Sequence, residues 1–353
     1  MPGKCRRRRR KLVLIAVALT WPLAALAAPP EDAVEMSGRT YITSKAQQSI
    51  DRALEWLASR QNDDGAFGVG GPYQKNVAVV SLGGLAFLSQ GSTPGRGRYG
   101  GNIDRCVDYV LAAARTDGFI SVRNSVSHGP MYGHGFATLF LAEVYGMNRR
   151  KDLRPKLKQA VKLIVGTQND EGGWRYYPES KDADVSVTVC QIMALRAARN
   201  AGIFVPTATV EKCIRYVKRC QNGDGGFRYQ LVRRRESQFP RSAAGLVALY
   251  SAGVYKGREV DDALRYLIRH VPRSNRAGTE SHYFYGQYYA AQAMWHAGGN
   301  YWKQWYPAIR DELLQRQSPE GSWAHHSVGP DYATAMACIV LQVPNNSIPI
   351  FQR

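Results

Sequence analysis

Hydrophobic residues recur at helical spacing through most of the chain. In one typical stretch, Ile50, Ala53, Leu54 and Leu57 fall on one face of a helix, and similar stretches follow to the end of the sequence. Two kinds of stretch alternate. The first carries many charges beside one apolar stripe, and the second is rich in Ala, Gly, Val and Leu on every side. We therefore predict an outer layer of amphipathic helices around an inner layer of closely packed ones.

The pattern predicts six helix pairs and an all-α fold. The outer helices are expected at about Ile50 to Arg60, Ile103 to Ala114, Leu157 to Thr167, Val210 to Cys220, Val260 to His270 and Ala308 to Arg316. The inner helices are expected at about Val77 to Ser89, Gly135 to Tyr145, Val185 to Ala201, Ser242 to Ala252, Tyr285 to His296 and Tyr332 to Leu341.

A short motif connects the two helices of a pair. It consists of Gln, three residues, Gly, one residue and an aromatic side chain, and Gly118 and Phe119 belong to a weak copy. The good copies are Gln61, Gly65 and Phe67; Gln168, Gly172 and Trp174; Gln221, Gly225 and Phe227; and Gln317, Gly321 and Trp323. The successive aromatics are 52, 55, 53 and 96 residues apart. Because the last interval is nearly twice the others, we infer that one pair has lost the motif and kept its helices.

The residue types of the motif have a structural explanation. Glycine can end the outer helix in the left-handed conformation, and the Gln amide can bond the backbone groups that the helix end leaves free. The aromatic side chain can pack across neighbouring repeats. Six such pairs close into a ring, whereas an open solenoid would need polar capping repeats. We predict an (α/α)6 toroid over residues 45–346, a lead-in segment at 28–44 and a tail at 347–353.

The first 27 residues are typical of a signal peptide. A basic stretch at 4–11 precedes the apolar run 12–27, which ends in the small-residue site Ala25-Leu26-Ala27. The arginine run also permits a twin-arginine export route. The prediction is a periplasmic or secreted protein, cleaved after Ala27.

Cleavage would leave a basic protein with 40 Lys and Arg against 28 Asp and Glu, a net charge of +12. Such a charge attracts anionic surfaces, and an anionic membrane surface is one partner that it allows. No nucleic-acid motif accompanies the charge, so nucleic acid is not an expected partner. Five cysteines would remain, an odd number scattered through helical stretches, which is not the pattern of a disulfide scaffold. The sequence does not indicate an oligomeric state.

The turn motif resembles the QW repeat of the prenyltransferase and squalene cyclase superfamily. An aromatic-aliphatic pair precedes it, as in Trp56-Leu57 before Gln61 and Tyr216-Val217 before Gln221. The resemblance covers about residues 45–345 and implies a single toroid similar to squalene-hopene cyclase. It also implies a central cavity for an isoprenoid or another apolar molecule.

The motifs that would fix a family chemistry are missing or incomplete. Squalene-hopene cyclases protonate a polyene with a D-x-D-D motif, and here Asp182, Asp184 and Val185 leave out the last Asp. A second cyclase segment, D-V-(S/T), matches Asp184 to Ser186 and would make Asp184 a cavity residue or a helper of an acid. The G-C-G-E-Q motif of thioester-containing toroids is absent. No cofactor or metal is predicted.

The resemblance implies that the loops leading into the inner helices converge on one end of the cavity. In these polar and aromatic loops the candidate catalytic residues are Asp184, His282 and Tyr285. The candidate ligand-binding residues are Tyr73, His128, Tyr132, His134, Ser186, Arg241, Tyr283, Asp331 and Tyr332.

These residues also have plainer interpretations. Asp184 and Ser186 stand where helix N-caps are expected, and His128 and His134 flank a Gly-containing turn, as structural histidines do. A zinc site formed by His128, His134 and His282 would lack a recognised ligand spacing.

Three functions stay open from the sequence. The first is an exported terpene-cyclase-like protein that binds or converts an isoprenoid without the standard D-x-D-D acid. The second is a glycan-active toroid similar to a polysaccharide lyase, in which Tyr and His abstract a proton next to a uronate carboxylate. The third is a non-catalytic binding or scaffold module.

Overall fold

The computed structural model describes residues 38–68, 73, 75–123, 125–147, 150–232, 235–272 and 282–352, together with Met1. The predicted signal peptide and most of the lead-in segment lie outside the described residues. The described residues from Gly38 onwards form one compact unit. In the described part of the chain, no helix combines the length and apolar character that a bilayer span requires.

Twelve α-helices lie within the described residues, in the predicted alternation of charged and small-residue types. They are α1 Ser44–Arg60, α2 Val77–Ser89, α3 Gly100–Ala112, α4 Pro130–Tyr145, α5 Leu153–Gly166, α6 Val185–Asn200, α7 Thr207–Cys220, α8 Phe239–Ser251, α9 Arg258–Ile268, α10 Tyr283–Ala297, α11 Gly299–Arg316 and α12 Pro330–Gln342. The all-α prediction is confirmed, and each predicted helix corresponds to one of these.

Helix α11 departs most from its predicted bounds, because it begins nine residues earlier than Ala308. Pro307 lies inside it, and a proline normally ends a helix by removing a hydrogen bond. Upstream of this proline, Trp302, Trp305 and Tyr306 are fully buried. The burial of three large aromatic side chains outweighs the lost bond.

The inner helices form a closed ring. α2, α4, α6, α8, α10 and α12 contact one another in that order, and α12 returns to contact α2. Side chains reinforce the closure: Gln342 Nε2 donates to the Ala86 carbonyl at 3.1 Å, and Asn345 Nδ2 donates to the Ser89 carbonyl at 3.1 Å. Each inner helix also contacts the outer helix that follows it around the ring, with α1 following α12.

The glutamines of the turn motif join neighbouring repeats. Gln168 Nε2 donates to the Gly172 carbonyl of its own turn at 2.8 Å and to the Thr209 carbonyl at the start of the next outer helix at 2.9 Å. The same two kinds of bond recur in the copies at Gln61, Gln221 and Gln317. In the last copy the second acceptor lies in α1, so the motif also links the end of the ring to its beginning.

The glycine of each turn is needed for two reasons. Gly172 has a φ of +98°, and a Cβ added there would lie 2.4 Å from the Lys212 carbonyl oxygen. Gly118 of the weak copy has a φ of +89° and an equally close contact with Gln159, so it makes the same turn without the glutamine. The one remaining turn, between α9 and α10, is expected at residues 273–281, which lie outside the described residues.

The end of the chain packs against the ring. Ile348, Ile350 and Phe351 are buried, and the Phe351 ring meets Tyr288 of α10 edge-on at 6.2 Å. The segment predicted as a tail therefore contributes to the core.

Candidate functional site

A cavity of about 380 Å³ opens at one end of the inner ring. Every inner helix contributes to it with residues of its first two turns: Ala78, Val79 and Leu82 of α2; Tyr132, Gly133 and Phe136 of α4; Ser186 of α6; Pro240 and Arg241 of α8; Tyr285 of α10; and Tyr332 and Met336 of α12. Their common position shows that the six inner helices start at the same end of the molecule. The ring geometry thus brings residues far apart in sequence to one site.

The inner wall of this cavity is aromatic and aliphatic. Tyr132 and Tyr176 lie with ring centres 6.0 Å apart. Deeper in the ring, Phe136 meets the buried Tyr288 edge-on at 6.0 Å. Aromatic and aliphatic side chains with a few convergent polar groups are typical of small-molecule sites.

The mouth of the cavity is polar. His128, His282 and His325 line it from the three loops that lead into α4, α10 and α12. The Tyr73 hydroxyl forms a short hydrogen bond with His128 Nδ1. Burial and the neighbouring imidazoles lower the pKa of His282 and His325. Arg241 also lines the cavity, and burial lowers its pKa.

His282 adopts the left-handed conformation, with a φ of 63°. This conformation is uncommon outside glycine, and such residues concentrate at functional sites. His282 occupies the N-cap position of α10 and makes no side-chain cap bond, which leaves its imidazole at the cavity mouth.

Asp184 lies behind the cavity wall and is fully buried. It caps α6, because Oδ1 accepts a hydrogen bond from the Val187 amide at 2.8 Å. Its other oxygen lies 3.5 Å from Arg175 Nε and accepts no hydrogen bond from the described residues. Ser186, the alternative cap, is instead the second residue of the helix.

Burial raises the pKa of Asp184 to about 7. The Val187 amide, the Arg175 guanidinium and the Tyr229 hydroxyl act in the opposite direction, and burial outweighs them. Asp184 is thus an acid that stays largely uncharged below neutral pH. The Tyr229 hydroxyl, which faces this carboxyl group, is hydrogen-bonded to the Tyr176 hydroxyl, and both tyrosines line the cavity.

The structure brings eight of the twelve candidate residues to the cavity. These are Tyr73, His128, Tyr132, Ser186, Arg241, His282, Tyr285 and Tyr332. Asp184 adjoins it from behind.

Three candidates lie elsewhere. His134 is fully buried, accepts a bond from the Ile120 amide and contacts the Ala160 carbonyl at 3.3 Å, and burial lowers its pKa to about 4. It is therefore a neutral histidine engaged on both nitrogens, and the zinc alternative loses one of its three ligands. Tyr283 is buried and points away from the cavity towards the outer helix α11, where the Arg316 guanidinium lies 3.9 Å from its ring centre. Asp331 pairs with Arg60 at 3.2 Å, which links α12 to α1.

The sequence analysis did not identify Tyr176 and Tyr229 as site residues. Each comes two positions after the aromatic residue of a turn motif, as does His325. Because the turns are equivalent in the ring, this position points to the cavity in three repeats. The repeat spacing could have identified it.

Comparison with known proteins places this architecture in a family. The family model for the prenyltransferase alpha-alpha toroid domain matches residues 40–280. No curated protein matches the chain significantly.

Solved structures of several kinds share the fold. The type II terpene cyclase MstE from Scytonema, in complex with merosterolic acid A, is 13% identical with a TM-score of 0.59, covering 88% of this chain and 99% of its own. A protein from Actinoplanes is 15% identical with a TM-score of 0.58, over 86% and 99% of the two chains. An alpha-1,6-mannanase from Salegentibacter is 9% identical with a TM-score of 0.61, over 86% and 99%. At these identities the likeness establishes the fold alone, and the family match shows that the chain belongs to the prenyltransferase alpha-alpha toroid domain family.

Proposed function

We propose that this protein binds an isoprenoid or another apolar small molecule in the central cavity. The observation that carries the proposal is the composition of the inner wall, where Tyr, Phe, Leu, Val and Met side chains from α2, α4, α10 and α12 surround about 380 Å³. This volume lies within the usual range of small-molecule sites. The solved complexes of MstE contain geranylgeranyl dihydroxybenzoate as substrate and merosterolic acid A as product, which supports the same ligand class.

Conversion of the ligand would begin with Asp184. An uncharged carboxyl group near neutral pH is the acid that protonation of an alkene requires, and aromatic faces stabilise the cation that forms. Asp184 does not line the cavity, so we propose a relay through Tyr229, which lies in the wall and faces the carboxyl group. Tyr229 gives its hydroxyl proton to an alkene carbon of the ligand and takes the proton of Asp184 in return, which leaves a carboxylate at Asp184 and a carbocation on the ligand.

The binding proposal is tested by native mass spectrometry and lipid extraction of the purified protein. Ala78 is the second residue of α2 and lines the cavity, and Ala208 is the exposed second residue of α7. Ala78→Phe should displace a co-purified apolar ligand, and Ala208→Phe, the matched control, should retain it. Equal retention by both variants would count against the cavity as the site.

A glycan is the competing ligand, and the mannanase neighbour shares the fold. Hydrolysis of a glycosidic bond generally needs two carboxyl groups in the site, and none of the described lining residues is Asp or Glu. A lyase reaction would instead use His128 and Tyr73 as the proton-abstracting pair. Turnover of a polyuronate, with no apolar ligand recovered, would replace the isoprenoid proposal by this one.

We propose in addition that the protein is exported and meets an anionic membrane surface. Arg154, Lys158 and Lys162 form an exposed stripe on α5, spaced so that all three share one face. Co-sedimentation with phosphatidylglycerol vesicles, reduced when the three are changed to Gln and absent with phosphatidylcholine vesicles, is the expected result. Equal sedimentation with both lipids would contradict it.

A further inference from the structure

We propose that the cavity is built for an amphiphile, with the apolar chain in the aromatic interior and one anionic head group, a carboxylate or a phosphate, at the polar mouth. This inference rests on the proposed function and specifies its ligand. Four side chains that can carry positive charge supply the head-group site: His128, His282, His325 and Arg241.

The three histidines act on one another across the mouth. A charge on His128 disfavours a charge on His282, and both disfavour a charge on His325, which contributes to the lowered pKa of the latter two. An anion among them would relieve this repulsion and accept hydrogen bonds from the protonated rings. They reach the mouth from three separate loops, so the arrangement follows from the closed ring.

Arg241 is a cation without a carboxylate partner among the described residues. Its Nε donates to the Phe227 carbonyl at 3.1 Å and its Nη2 donates to the Glu236 carbonyl at 2.5 Å, both of them backbone groups. These bonds fix the guanidinium beside the cavity while its full positive charge is kept. A charge partly withdrawn from water in this way favours a bound anion.

The backbone adds to the positive electrostatic potential at the mouth. All six inner helices begin at the cavity, and α4, α8, α10 and α12 have no side-chain cap. Helix N-termini carry partial positive charge, and this charge reinforces that of the four side chains.

Few acidic groups oppose this charge among the described residues: the charge of Glu236 acts on Arg241, but Glu236 lies outside the cavity lining. The described lining includes no Asp or Glu, and burial keeps Asp184 largely uncharged below neutral pH. A wholly apolar ligand would leave the polar mouth without a partner, and a glycan would leave the inner wall without one. An amphiphile matches both ends.

The test compares three probes that share one chain: farnesol, farnesoic acid and farnesyl monophosphate. Calorimetry at pH 7 should give at least about ten-fold tighter Kd for one or both anions than for the alcohol, as expected for one charge-assisted bond. The anion that gains identifies the head group. His282→Asn, which tolerates the left-handed conformation, and Arg241→Gln should each weaken binding of the anion much more than binding of farnesol, and so remove most of this gain.

Arg215→Gln is the matched control, because it removes one positive charge from the exposed face of α7. It should preserve the preference for the anion. If wild-type protein binds the alcohol as tightly as both anions, the head-group site is refuted while the apolar cavity stands. If none of the three probes binds, the proposed function itself fails. Equal loss of alcohol and anion binding in both folded cavity variants would also overturn the assignment, because it would indicate a structural role only.

Discussion

Asp184 combines two roles that usually belong to different residues. One of its oxygens caps α6 by accepting a hydrogen bond from the Val187 amide, and the other is buried and accepts none from the rest of the described chain. A cap favours the ionised form of a carboxyl group, whereas burial favours the neutral form, and burial prevails here. A substitution that keeps the helix cap but removes the ionisable group should therefore separate the effect of capping from the effect of burial.

Asp184→Asn is expected to change the pH dependence of stability. The pKa of Asp184 rises from an ordinary value of 3.8 to about 7 on folding, so the stability that the neutral acid provides is present below about pH 4 and is lost as pH rises through 7. Asn is an equally good cap. Between pH 4.5 and 7.5 the free energy of unfolding of the wild type should fall relative to the variant, by an amount on the order of a few kcal/mol. Urea denaturation at several pH values measures this.

Glu143 does not confound the comparison. Burial raises its pKa to about 8, but it is present in both proteins and cancels in the difference. Parallel pH profiles for wild type and Asp184→Asn would show that the carboxyl group is charged in the folded state, which would also remove it as a proton donor.

At the level of elements, the turn motif was largely predictable because each residue in it has a local reason. The motif needs a glycine for its left-handed turn and an aromatic side chain to fill the space between repeats. Both recur at regular intervals in the sequence, so they also indicate where the helices on either side end and begin. The upstream half of α11 was missed because Pro307 is a helix breaker locally and only tertiary packing of Trp302 and Trp305 overrides it.

Gly172→Ala should destabilise the protein by about 2 kcal/mol or more. The residue has a φ of +98°, and its Cβ would collide with the Lys212 carbonyl, so strain and overlap add. Gly166→Ala is the control: Gly166 ends α5 with no atom near its Cβ position, and alanine favours a helix there. Chemical denaturation compares the two variants, and equal stability would mean that the turn does not depend on glycine.

At the level of the whole molecule, the ring decides which residues form the site. The sequence predicted the converging loops through the family resemblance, but not that His134 and Tyr283 point away from the cavity. Those orientations depend on Ala160 and Arg316, partners on other helices. Sequence spacing identifies a helix face but not the neighbour that it meets.

The buried end of the chain contributes to the stability of the ring. Ile348, Ile350 and Phe351 are almost completely buried, and each such side chain contributes about 1.5–3 kcal/mol when removed from water. A chain ending at Asn346 should therefore unfold at a markedly lower temperature than one ending at Phe351. Calorimetry of both would decide this, and identical midpoints would mean that the segment packs without stabilising the ring.

The most direct measurement is a crystal structure of the protein with farnesol. We expect one ordered apolar chain inside the ring, in contact with Phe136, Tyr285 and Met336, and its hydroxyl group near His282. A structure in which ordered water fills this cavity while farnesol binds only on the outer surface would contradict the account.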